Sequence, residues 1–271
     1  MCYLAVLDTD FISKAYRVKG ILNKSLMECI MEMTGFSFFC HEKIKAELNE
    51  GAPEAYAWLN KEIKNQNVIC YSDADLVTKL SQIYGENAWC VHRDFLNEAC
   101  STFSDNYFQA LYPNLDGMVY TNNDQYVFDL QEMDKKCPYD RNLGEIKSYV
   151  LMQVFRFLDE QKEIVFCSDD KEARNGISNL NEDFAFSCMS IAASFEMMKQ
   201  YHSWSLEEAH PYITSLDKFY AKYQHNPKPI FKVLNIDGDY QKIPIQKVLE
   251  DVFADKFTLQ KNGELKYKKS E

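Results

Sequence analysis

Residues 3–7, Tyr-Leu-Ala-Val-Leu, form a continuous apolar run that stops at Asp8-Thr9-Asp10. A short run without polar alternation predicts a strand buried on both faces, as in a parallel sheet. From Phe11 to about Met33 the apolar positions recur at helical spacing. Residues 36–40, Phe-Ser-Phe-Phe-Cys, predict a short aromatic strand, and residues 41–50 a helix that Gly51-Ala52-Pro53 stops. A further helix is expected over 54–65, with Ala55, Trp58, Leu59 and Ile63 on one face. Val68-Ile69-Cys70-Tyr71 is too short to assign.

Residues 73–140 are polar, aromatic and helical in pattern, with loop signals at Gly85, Pro113-Asn114, Asp116-Gly117 and Pro138. No strongly hydrophobic strand interrupts them, so they read as an insertion rather than a domain. Ile146, Tyr149, Val150, Val154, Phe155 and Leu158 mark a helix over about 144–160. Residues 163–167 predict a strand that ends at Ser168-Asp169-Asp170, with a helix following through Arg174. Another strand is expected at 184–187 and a helix over 189–201. Ser205-Leu206-Glu207-Glu208 has the capping-box spacing, so a helix starts near 206. Pro227 and Pro229 mark a linker to a strand-and-helix appendage at 226–271, with a turn at Asp237-Gly238 and a basic end at Lys266, Lys268 and Lys269.

Strands alternating with helices predict an α/β fold with a central parallel sheet, where ligands collect at the carboxyl ends of strands. Asp8 and the Asp169-Asp170 pair follow such ends. If their strands are neighbours, the carboxylates meet. Composition changes little here: 271 residues, 46% hydrophobic, excludes collagen-like and disordered classes. The net charge of −11 argues against nonspecific binding of nucleic acid, but not against a carboxylate site whose cations reverse the local field. Nine cysteines with no CxxC pattern read as core residues in a reducing, cytoplasmic setting rather than a zinc site. No run of about 18 apolar residues suggests a membrane span, and the first residues lack a signal-peptide pattern.

Four acidic segments in order resemble the PIN-domain (PIN-like) metal-dependent nucleases. Val6-Leu7-Asp8-Thr9-Asp10 is similar to that family's opening strand, and His41-Glu42-Lys43-Ile44-Lys45-Ala46-Glu47-Leu48 to its second motif. Leu143-Gly144-Glu145 before a long helix resembles the third, and residues 164–174, with Ser168-Asp169-Asp170 at their centre, the fourth. The resemblance covers about residues 3–220. It implies a three-layer α/β fold over 1–225 with a helical insertion at 73–140, and the appendage at 226–271 lies outside it. It further implies a ribonuclease, a hydrolase using Mg²⁺ or Mn²⁺ and leaving 5′-phosphate and 3′-hydroxyl ends. Asp8, Glu47, Glu145 and Asp170 would be the catalytic metal ligands, with Asp169 an alternative or additional one and Asp10 near metal-bound water. An RNA substrate, an antitoxin or other protein partner, and a homodimer are the partners it implies.

The chemistry needs such acids. Phosphodiester hydrolysis requires a water made nucleophilic and a clamp on developing charge, and hard divalent cations held by carboxylates supply both. Lys14, Arg17, Lys171 and Arg174 lie close in sequence to the acidic strand ends and are candidates for substrate phosphates. Each acid also has a purely structural role open to it. Asp8, Asp169 or Asp170 could cap a helix, Glu145 stands at capping-box spacing from Asn142, and Glu47 could be a surface residue. The histidines (41, 92, 202, 210 and 225) show no HExxH or triad context, and Trp58, Trp89 and Trp204 read as core or interface residues rather than base-stacking platforms. Two other functions stay open: a phosphatase of the haloacid dehalogenase type using Asp8 and Asp10, and a catalytically silent PIN-like scaffold that binds protein.

Overall fold

The computed structural model describes residues 3–104, 107–136, 142–158, 163–178 and 187–269. The protein is α/β. Strands β1 (Tyr3–Leu7), β2 (Phe36–His41), β3 (Val68–Tyr71), β4 (Glu163–Cys167) and β5 (Ser187–Met189) form a parallel sheet in the order β3-β2-β1-β4-β5. All five residues of β1 are buried, as its unbroken apolar run requires. The segment too short to assign from sequence is the edge strand β3, registered on β2 with Phe38 opposite Val68 and Cys40 opposite Cys70. Of the strand expected at 184–187, residues 184–186 lie outside the described residues, and Ser187 opens β5.

The helix expected over 11–33 is broken. It consists of α1 (Thr9–Arg17), a 3-10 turn at Ile21–Asn23 and α2 (Leu26–Ile30). Lys19 and Ser25 pair as an antiparallel bridge, and Leu22 and Asn23 take left-handed backbone angles. Ser25 then restarts the helix through a capping box with Glu28. The periodicity survives the break because both pieces bury apolar residues, so spacing alone does not reveal it.

The remaining helices follow local signals. His41 caps α3 (Glu42–Gly51) through Nδ1, which accepts the Lys43 N–H at 3.1 Å. Pro53 opens α4 (Pro53–Lys64) at the position where its missing N–H costs nothing. Ser72 and Asp75 box the start of α5 (Asp73–Tyr84). The insertion continues with α6 (Ala88–Ser104), α7 (Tyr107–Leu111) and α8 (Asn123–Lys136), and its described residues carry no strand. Then come α9 (Leu143–Leu158), α10 (Lys171–Ser178), α11 (Ile191–Tyr201) and α12 (Leu206–Tyr223), the last with the expected box from Ser205 to Glu208. Residues beyond 225 form β6 (Ile230–Leu234), β7 (Tyr240–Pro244), α13 (Ile245–Phe253), β8 (Phe257–Leu259) and β9 (Leu265–Tyr267). These strands make a second sheet in the order β7-β6-β9-β8. Lys266, read from the sequence as part of a basic end, is inside β9.

The chain divides into two compact units. The first comprises Met1–Tyr3, Asp10–Phe36 and Val165–Glu271, and the second Leu4–Thr9 and Ser37–Ile164. In the second unit α9 packs against α3, α5 and α6 and is buried on nearly every side from Leu143 to Phe155. A helix buried all round must find a partner for each polar side chain it carries. In the first unit α13 buries Ile245, Val248, Leu249 and Val252, at helical spacing, against α11 and α12. The β8–β9 turn reaches β5: Cys188 N–H donates to Lys261 O at 2.7 Å and Ser190 Oγ to Gly263 O at 2.7 Å. Gly263 has φ +74°, and a Cβ there would stand 2.9 Å from Cys188 O, so both conformation and space call for glycine. Residues 226–271 therefore cluster with residues 165–225 in one unit. No helix among the described residues is long and apolar enough to cross a membrane.

Candidate functional site

The sequence-selected acids divide between the units. Asp8, Glu47 and Glu145 belong to the second, and Asp10, Asp169 and Asp170 to the first.

In the second unit Asp8 directly follows β1 and is 2% exposed. Thr9 joins it to Glu47: the Thr9 N–H donates to Asp8 Oδ1 at 2.8 Å, and the Thr9 hydroxyl to Glu47 Oε2 at 2.5 Å. Glu47, on α3, lies against Gly144 at the start of α9, where a Cβ would meet its Oε2 at 2.7 Å and its Oε1 at 2.9 Å. A side chain at 144 would thus displace the carboxylate, and Glu145 is the next residue on α9. Three segments, around Thr9, Glu47 and Gly144, meet at the Glu47 carboxylate, the first and last of them more than 130 residues apart in sequence.

In the first unit the acids are engaged internally. Asp10 Oδ1 accepts the Asp169 N–H at 3.0 Å, and its Oδ2 accepts Lys14 Nζ at 3.0 Å. Asp169 Oδ2 accepts Lys14 Nζ at 2.9 Å and the Tyr220 hydroxyl, while Oδ1 accepts the Ile191 N–H at 3.2 Å. Burial opposes the Lys14 charge, but Asp169 and Asp10 outweigh it and lift the ammonium above its ordinary pKa. Asp170 caps α10, its Oδ1 accepting the N–H groups of Glu172 at 2.7 Å and Ala173 at 3.1 Å. The cations expected to face substrate are placed differently. Arg174 is buried and donates to Ser168 O at 2.9 Å and Asn262 O at 3.0 Å. Lys171 pairs with Glu264 at 3.2 Å and sits over the Tyr240 ring. Of Lys14, Arg17, Lys171 and Arg174, Arg17 is the exposed one.

A second cluster, not singled out in the sequence, fills the interior of the second unit. Lys147 on α9 is 1% exposed and gives Nζ to Asp73 Oδ2 and Asp134 Oδ2, both at 2.8 Å. The Tyr112 hydroxyl donates to Asp134 Oδ1 at 2.8 Å. Two imidazole nitrogens stand close to Asp73 Oδ1, His41 Nε2 at 3.5 Å and His92 Nε2 at 3.3 Å. His92 Nδ1 lies 2.9 Å from the Tyr126 hydroxyl. Because His41 Nδ1 accepts a backbone N–H, the neutral ring carries its proton on Nε2, toward Asp73. Burial works against both charged partners, yet their attraction prevails. Lys147 is held above the usual lysine value by Asp134 and Asp73, and Asp73 well below the usual carboxylate value, chiefly by Lys147. Burial pushes the His92 pKa down, against the pull of Asp73. The cluster ties α5, α6 and α8 of the insertion to α3 and α9, the helices that carry Glu47 and Glu145. One sequence signal pointed to it: Lys147 interrupts the apolar face of a helix whose other positions demand burial.

No group of three or more His, Cys, Asp or Glu side chains among the described residues is arranged to hold a metal ion. A smaller set does fit the chemistry of a hard cation. Mg²⁺ takes only one or two protein carboxylates and keeps several waters. Asp8 and Glu47 are two carboxylates linked through Thr9, which donates to each, and they match that donor set. Comparison with known proteins found no matching family model, no similar curated protein and no similar solved structure.

Proposed function

We propose that the chain is a PIN-like, divalent-cation-dependent ribonuclease whose cation ligands are Asp8 and Glu47, joined by Glu145. The observation that carries this reading is the meeting of Thr9, the residue after Asp8, with Glu47 and Gly144 around one carboxylate. Strand order adds support: β1 lies where the order β3-β2-β1-β4-β5 reverses direction, and open α/β sheets bind ligands at the carboxyl end of such a strand. Asp8 stands at that end.

When bound, a hard cation supplies an activated water and a clamp on phosphoryl charge. The protein's own residues orient the ligands. Thr9 fixes the Glu47 carboxylate through its hydroxyl, and the absence of a side chain at Gly144 leaves room for it. The test is cleavage of single-stranded RNA in Mn²⁺, with Asp8→Asn and Glu47→Gln as variants. Loss of a ligand that contributes several kcal/mol to the transition state lowers the rate by at least about 100-fold. Unchanged cleavage by Asp8→Asn would remove the reading.

A non-catalytic protein-binding scaffold is favoured by one observation. Asp10 and Asp169 are neutralised by Lys14, and Asp170 is used as a helix cap. Thermal unfolding separates the two. The nuclease reading requires Mn²⁺ to raise the Tm of the wild type and not of Asp8→Asn, whereas a scaffold gives no shift in either.

A further inference from the structure

Cys40 and Cys70 are register partners on the adjacent parallel strands β2 and β3. Directly paired residues in a parallel ladder project to the same face, about 4.8 Å apart along the hydrogen-bonding direction. Their register sets the two thiols side by side on one face of the sheet. Cys40 is fully buried, whereas Cys70 is partly exposed and lines a cavity of about 430 Å³ together with Lys43, Lys45, Lys147, Glu42 and Asp134. The partners are therefore unequal: one thiol that solvent reaches, and one behind it that solvent does not.

We propose that Cys70 is a peroxide-reactive thiol and that Cys40 resolves its oxidised form as a reversible disulfide. The adjacent Cys40 thiol, helped by the Lys45 charge and opposed by burial, holds the Cys70 thiol below its ordinary pKa. The neighbouring Cys70, together with burial, pushes Cys40 well above its own. The thiolate is the form that attacks, so Cys70 reacts first. The Cys70 thiolate attacks one oxygen of a hydroperoxide and breaks the O–O bond, giving the sulfenic acid and releasing hydroxide or alkoxide. The Cys40 sulfur then attacks the Cys70 sulfur, the S–S bond forms, and the hydroxyl leaves with the Cys40 proton as water. Two electrons pass from the thiol pair to the peroxide, and an external dithiol returns them.

Geometry also makes the bridge reversible. A relaxed disulfide needs Cβ atoms about 3.8 Å apart, closer than ordinary strand spacing. β3 is an edge strand and can move toward β2, but the bridge would hold the strands under strain, and strained disulfides are readily reduced. The closing bond would lie one residue before His41, the cap of α3, and three before Asp73.

The experiment treats the full-length wild-type protein with hydrogen peroxide, then unfolds and alkylates it and reads the mass of its peptides. Nine cysteines alkylate before treatment, and seven are expected after it, with the peptides containing 40 and 70 cross-linked. Dithiothreitol should restore all nine. Cys90, also partly exposed, serves as the internal comparison, and Cys70 is expected to react about tenfold faster. In Cys40→Ser, dimedone should trap the sulfenic acid on Cys70. Full alkylation of both Cys40 and Cys70 after treatment, or oxidation of Cys90 at the same rate as Cys70, overturns the proposal. Neither wild-type readout depends on a variant folding.

Discussion

Lys147 keeps its charge inside an almost wholly buried helix because two carboxylates reach it at 2.8 Å. Removing one partner strands the others in a low-dielectric interior. Asp73→Asn and Lys147→Met are each expected to cost about 3–5 kcal/mol in urea unfolding. The double variant should lose less than the sum of the two, since no unpaired charge remains at position 73 or 147. Equal and additive losses would show that the pair is not coupled. The same cluster sets a pH dependence. His92 has a folded pKa below its unfolded value, so the unfolded chain binds more protons below about 6.5. Stability is then full above that pH and falls as the pH drops toward the folded value. Asp73, also depressed, adds a second loss below about 3.8. A Tm that stays level from pH 8 to 7 and declines from about 6.5 downward is expected, and His92→Gln should flatten the upper part of that decline. A wild-type Tm unchanged between pH 7 and 5 would contradict it.

At the scale of elements, the contact between α3 and α9 turns on Gly144. Gly144→Ala places a methyl 2.7 Å from Glu47 Oε2, the far end of a flexible side chain, so the carboxylate swings away while alanine adds about 1 kcal/mol of helix propensity. Chemical denaturation should show the variant no less stable than wild type, and a loss above about 1 kcal/mol would show that the Glu47 carboxylate cannot move. The strands and most helices were legible because each carries its own signal. β1 is an unbroken apolar run, Ser205 and Glu208 box α12, and Gly51 with Pro53 separates α3 from α4. The break between α1 and α2 was not, because the apolar spacing runs through it and masks the local signals at Gly20 and in the Ser25–Glu28 box. The site was partly legible for the same reason. Asp8 and Glu47 stand out beside apolar segments, and their meeting follows from the fold. Nothing local marks Asp73, His92 and Asp134 as partners of Lys147, since each sits on a different helix of the insertion. Arg174 looked like a phosphate contact only while its acceptor, Asn262 O, was hidden by a sequence separation of 88.

For the molecule as a whole, the last 46 residues contribute to a core rather than trail from it. Ile245, Val248, Leu249, Val252, Phe257 and Leu265 are all buried, and each such side chain contributes about 1.5–3 kcal/mol. Set against a total stability of about 5–15 kcal/mol, a chain ending at residue 225 should not hold its first unit folded. Limited proteolysis of that truncation is expected to cut within residues 10–36 and 165–225, and protection equal to the full-length chain would refute this.

The docking of the β8–β9 turn on β5 also bears on how the protein is made. Every residue of the second unit has been synthesised by position 164, whereas the first unit begins at the start of the chain and lacks its closing turn until Gly263 has left the ribosome. At about 5–20 residues per second, the nascent chain carries an unfinished half for roughly 5–20 s. During that interval the end of β5 has neither Lys261 nor Gly263 to pair with. Chaperone demand should therefore fall on the interval in which residues 165–263 are made, and codons that slow elongation between 190 and 260 would lengthen that aggregation-prone interval.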